Sequence, residues 1–127
     1  MARDYRKLKA FALADELVVE IYRATRGFPR EGMFGLTSQM RRAAASVAAN
    51  MVEGSFRTGE AEYANFLSIS LGSAGEVGYF VDLAERLGFL DRDTAERLQD
   101  LQGNCVRALQ GLVSHYRPNR ATLKPRA

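Results

Sequence analysis

The sequence predicts an all-α protein, an antiparallel four-helix bundle. Three observations carry that expectation. Apolar residues recur at helical spacings of three and four in four long segments. The segments are joined mostly by short connections rich in glycine, proline and aspartate. No stretch alternates apolar and polar residues between hairpin turns, as a sheet would require.

The first segment, residues 7–26, places Phe11, Ala14, Val18, Ile21 and Thr25 on one face, with Asp15, Glu16, Glu20 and Arg23 elsewhere on the wheel. Gly27, Phe28 and Pro29 stop it, and the residues up to Gly35 make a connection with room for one short helical turn. A second helix starts near Leu36, with Thr37 or Ser38 able to cap it, and runs to Gly54. The turn 55–59 offers Thr58 as the cap of a third helix, with Glu60 and Glu62 suited to its positive end. That helix reaches about Leu87, and between Tyr63 and Val81 its one carboxylate is Glu76. Asp91 or Asp93 caps the fourth helix, whose apolar face holds Leu98, Leu101, Cys105, Ala108, Leu109, Leu112 and Tyr116 before Pro118 ends it. The 127 residues fit one domain, with its core over about 7–117 and basic ends on either side.

Composition narrows the chemistry. A single cysteine, Cys105, rules out an internal disulfide, and His115 as the one histidine leaves no zinc or thiol–imidazole constellation. Neither Glu53 nor Glu76 begins the Glu-x-x-His motif of a di-iron bundle, and there is no phosphate-binding glycine–lysine loop. No catalytic residue, metal or cofactor is therefore expected. No apolar run is long enough to cross a membrane, and the first residues lack the apolar core of a secretory signal, so a cytoplasmic protein without membrane contact is expected.

The second helix is unusual. Gln39, Arg42, Ser46, Asn50 and Glu53 fall within an arc of roughly 80° at 100° per residue. Leu36, Met40, Ala43, Ala44, Val47 and Met51 occupy the neighbouring arc, and Ala45, Ala48, Ala49 and Val52 the rest, interrupted only by Arg41. A helix apolar nearly all round is normally buried all round. The third helix is similarly poor in charge, whereas the first and fourth keep a solvent face, so the second and third are expected to face neighbouring copies of the chain. Arg42 and Glu76 would then need one another as partners, because an enclosed charge left unpaired costs several kcal/mol. Gln39, Ser46, Asn50 and Ser73 would complete a buried polar network, with Glu53 accepting from Arg41 or from an amide at the start of the third helix. The same stripe read differently is a site for a ligand or partner.

The residues QMRRAAASVAANMVEG at 39–54, LGSAGE at 71–76 and FPREGMFGL upstream resemble the bacterial "four helix bundle protein" family over about Leu8 to Tyr116. That family includes proteins encoded by intervening sequences within large-subunit ribosomal RNA genes. The resemblance implies an up-down-up-down bundle assembling into a ring, a homopentamer in relatives, with no established enzymatic activity. It also implies a distant kinship in fold with accessory proteins of diversity-generating retroelements, which bind a reverse transcriptase and nucleic acid. The chain departs from the pattern at Val47, Met51 and Val52, conservatively, and at Gly75 and Gly78, where larger residues are usual. Gly72, Gly75 and Gly78 in one helix each cost roughly 1 kcal/mol against alanine, unless close packing offsets them.

The charge lies at the ends of the chain. Of the formal +3, residues 1–9 carry +3 and residues 117–127 carry +4, leaving −4 on the rest. An up-down-up-down bundle brings both termini and the second connection to one end. Arg3, Arg6, Lys7, Lys9, Arg57, Arg117, Arg120, Lys124 and Arg126 would form a basic rim, multiplied by a ring and suited to RNA or DNA phosphates without sequence reading. The competing expectation is an adaptor that binds another protein, such as an accessory subunit of a nucleic-acid enzyme.

Overall fold

A computed structural model describes residues 3–30 and 35–117. After a single 3-10 turn at Tyr5–Lys7 come α1 (Lys9–Thr25), α2 (Leu36–Ser55), α3 (Glu60–Arg86) and α4 (Arg92–Tyr116), and no strand occurs among the described residues. Each helix packs on its neighbours in the chain, and α1 closes the square against α4. This is the expected antiparallel bundle. The expected end at Pro118 falls outside the described residues, as do residues 31–34 of the connection in which a short helical turn is expected.

The core follows the helical period. Ala10, Ala14, Leu17 and Ile21 of α1 meet Met40, Ala44, Val47 and Met51 of α2. Leu67, Ala74, Val77 and Val81 of α3 and Leu98, Cys105 and Leu109 of α4 complete it. Each fully buried aliphatic side chain contributes about 1.5–3 kcal/mol. Phe11 and Val18 sit at the margin of this core, and Leu17 takes the centre of the α1 face instead.

The helix ends differ in how they are made. Asp91 caps α4 as expected, its carboxylate accepting from the Thr94 N–H at 2.7 Å. The expected caps of α2 and α3 are corrected: Gly35 and Gly59 occupy the cap positions, and neither has a side chain with which to cap its helix. Both helices begin where a small residue relaxes the backbone, which leaves Thr37 and Ser38 inside the first turn of α2 and Thr58 outside α3. α3 ends in a Schellman turn. Gly88 at φ +79° lets its own N–H reach Glu85 O at 3.0 Å and the Phe89 N–H reach Ala84 O at 2.9 Å. Phe89 then packs on Phe28 from the end of α1, ring centres 5.4 Å apart.

Two glycines mark close helix approaches. A Cβ on Gly54 would stand 2.8 Å from the Cβ of Phe66, so α2 and α3 approach at this point only because residue 54 lacks a side chain. A Cβ on Gly78 would meet the amide of Gln102, which donates to Ala74 O at 2.9 Å. Gly72 and Gly75 have nothing within 4 Å of such a Cβ. Packing inside the chain therefore accounts for Gly78 and not for the other two.

Candidate functional site

The polar stripe of α2 divides in the folded chain. Its middle forms a network: the Ser46 and Ser73 hydroxyls lie 2.8 Å apart, and the Asn50 amide donates to Ser46 Oγ and to Ser46 O, both at 2.9 Å. Ser73 is buried, and Ser46 and Asn50 are half-buried. Its flanks do not join. Gln39, Arg42, Glu53 and Glu76 are exposed in the single chain, and Arg42 and Glu76 do not pair with each other. The expected Arg42–Glu76 pair is thus corrected; both charges keep water, so neither requires the other. Glu53 is corrected too, since it accepts from Arg57 one turn later at 2.8 Å instead of from Arg41.

Gln39, Arg42 and Glu76 instead edge an open groove between α2 and α3. Its volume is 420 Å3, and its walls include Gln39, Arg42, Ser46, Ser73, Glu76 and Phe80. The groove sets a cation and an anion on opposite helices above a hydroxyl pair. The serine pair has no imidazole beside it, because His115 lies near the end of α4. Among the described residues no group of three or more His, Cys, Asp or Glu is arranged to hold a metal ion.

Several polar contacts escaped the sequence reading. Ser70 is buried on α3 and donates to Val47 O at 2.8 Å. Arg41 reaches α1, its Nε donating to Thr25 Oγ1 at 2.8 Å while its guanidinium stacks 4.6 Å from the centre of the Tyr22 ring. Gln99 donates across the α3–α4 seam to Gly78 O at 2.9 Å. The signal for these was a polar residue at an otherwise apolar heptad position, which names no partner.

Next to the groove, the outward arc of α3 carries Ile69, Gly72, Gly75 and Tyr79, all exposed, with Glu76 the charge among them and Asn65 a polar residue one turn before Ile69. Ile69 is 48% and Tyr79 57% exposed. On α2 the adjoining arc holds Ala45, Ala48, Ala49 and Val52, of which Ala49 is the most open.

The basic residues gather at one end. The Arg3 N–H donates to Ser55 O at 3.0 Å, and the Arg3 guanidinium donates to Arg57 O at 3.3 Å. That guanidinium lies 4.2 Å from the centre of the Tyr63 ring, which packs edge-on against Tyr116 at 4.8 Å. Burial raises the Tyr63 hydroxyl above its ordinary pKa. Arg117 donates to the Ser68 hydroxyl on α3. Arg3, Arg57 and Arg117 thus come together, with Arg6, Lys7 and Lys9 close by in the chain; Arg120, Lys124 and Arg126 lie outside the described residues. The end is less basic than its arginines and lysines alone imply. Arg6 pairs with Asp4 at 3.2 Å and Arg57 with Glu53, and Glu60 and Glu62 open α3 at the same end.

No curated protein matches the chain. Among solved structures, a protein of unknown function from the S23 ribosomal protein family of Bacteroides thetaiotaomicron superposes with a TM-score of 0.77. It is 23% identical, over 83% of this chain and 95% of that one, and so shares the fold. A family model described as 23S rRNA-intervening sequence protein matches residues 6–111, a span that takes in α1, α2, α3, the polar stripe and most of α4. With the bundle, the stripe and the matched span all in one chain, the protein belongs to the family of 23S rRNA-intervening sequence proteins.

Proposed function

We propose that the protein is a non-enzymatic scaffold that self-assembles through the outer faces of α2 and α3 and touches nucleic-acid phosphates with its basic end. The assembly in this reading is a homopentameric ring. The observation that carries it is the exposed arc of Ile69, Gly72, Gly75 and Tyr79 on α3 beside Ala49 on α2. Gly72 and Gly75, with nothing near their Cβ positions, cost helix stability without helping the fold of one chain, and a neighbouring subunit approaching that closely would offset the cost. The convergence of Arg3, Arg57 and Arg117 supports the nucleic-acid contact, because a ring repeats the cluster around one rim.

A salt series with a fluorescent RNA tests the contact. Log affinity is expected to fall linearly with log salt, and deleting residues 118–127, which removes Arg120, Lys124 and Arg126, is expected to make the slope shallower by about 2. Unchanged affinity and slope would place the contact elsewhere. A second reading has its own observation: Phe56, 65% exposed at the α2–α3 turn, suits an adaptor that binds a protein partner. Partner binding that persists at moderate salt, without RNA binding at low salt, would favour the adaptor.

A further inference from the structure

At the pole of the bundle opposite the basic rim, α2 begins at Gly35 with no side-chain cap. The first N–H groups of a helix have no acceptor within it, and they form the positive end of the helix dipole. Thr37, in this first turn, is 6% exposed, and its Oγ1 has no hydrogen-bond partner among the described residues. Buried hydroxyls are nearly always matched, so an unmatched one in the first turn of a helix marks a place where an acceptor is missing.

The surroundings indicate the charge of that acceptor. Thr37 lines a hollow of 310 Å3 together with Tyr22, Ser38, Arg41 and Arg42, and among the described residues no carboxylate is in its wall. Arg41 is held in place by Thr25 and by the Tyr22 ring, so its charge is fixed at the rim, and it forms no ion pair among the described residues. Arg42 stands exposed and without an ion pair among the described residues. Two guanidiniums, two hydroxyls and the first amides of a helix are all able to donate, and helix starts bind anions for this reason.

We propose that this hollow binds an oxyanion of the phosphate type, either free phosphate or the terminal monoester of a nucleotide. Several donors converging from different directions suit a tetrahedral dianion with three or four acceptor oxygens better than a planar carboxylate. The site lies away from the basic rim and uses none of its residues, so it stands whether or not that rim meets nucleic acid.

Calorimetric titration of the full-length protein with inorganic phosphate, against sodium chloride at equal ionic strength, tests the proposal. Saturable binding to the wild type is expected, with affinity weakened about tenfold or more by Thr37→Val and by Arg42→Gln. In phosphate-free buffer Thr37→Val is expected to melt no lower than the wild type, since it removes an unmatched buried hydroxyl. Should Thr37→Val fail to fold, the exposed Arg42→Gln carries the test alone. Adenosine 5′-monophosphate binding more tightly than phosphate, with adenosine not binding, would identify the monoester as the source; equal affinities would identify the free ion. No saturable phosphate binding, or affinity unchanged in the variants, would overturn the site.

Discussion

Arg41 and Arg42 are neighbours in sequence and opposite in role. One hundred degrees of helix rotation carries Arg41 to the α1 seam, where it bonds Thr25 and covers Tyr22, and leaves Arg42 in the open groove. Arg41→Ala is therefore expected to cost about 1–3 kcal/mol, the scale of a charged hydrogen bond. Arg42→Ala in the same chain should stay within about 0.5 kcal/mol. Urea unfolding of the two variants checks this, and equal midpoints would contradict it. The sequence put both residues on the helix but could not say which one meets a partner, because a long side chain chooses among neighbours that only the packing brings near. Cys105 was legible: burial pushes its thiol up to about 11, so in the folded protein it should resist alkylation at pH 8 and react only on unfolding.

At the scale of the element, helix periods and breakers were readable because each helix segregates its apolar face. Glycine and aspartate at 88 and 91 fixed the α3–α4 turn by simple backbone and capping chemistry. The starts of α2 and α3 were not readable, since a glycine beside the expected threonine took the cap position from it. Asp91 has a pH consequence. Thr94's backbone N–H holds its carboxyl below the ordinary aspartate range, so its contribution is present at neutral pH and fades as pH falls through that lowered value. Asp91→Asn should accordingly flatten the acid limb of the stability profile, measured by helicity against pH. Gly72 separates the fold from the assembly. With open space at its Cβ position, Gly72→Ala should raise the stability of the isolated subunit by about 1 kcal/mol while weakening self-association. Gly54→Ala should instead destabilise the subunit, because the new methyl meets the Cβ of Phe66.

For the whole molecule, topology explains why charge separated along the sequence collects in space. Arg3 touches Ser55 and Arg57 because α1 starts where α2 ends, and Arg117 reaches α3 because α4 returns to the same end. Counting basic residues predicted that convergence and overlooked Glu53, Glu60 and Glu62, which the same topology brings alongside. The flanks of the polar stripe carry a related lesson. Their enclosure was inferred from a helix apolar nearly all round, yet a single chain leaves Gln39, Arg42 and Glu76 in water. Either the arc of Ala49, Ile69, Gly72 and Tyr79 meets another copy or it remains an apolar stretch of a monomer's surface. Sedimentation equilibrium of the full chain at micromolar concentration, beside Ala49→Glu, decides between these most directly. The wild type is expected at several times the 14.1 kDa of one chain and the variant folded but smaller. A wild type of monomer mass, or a variant of undiminished mass, would contradict it.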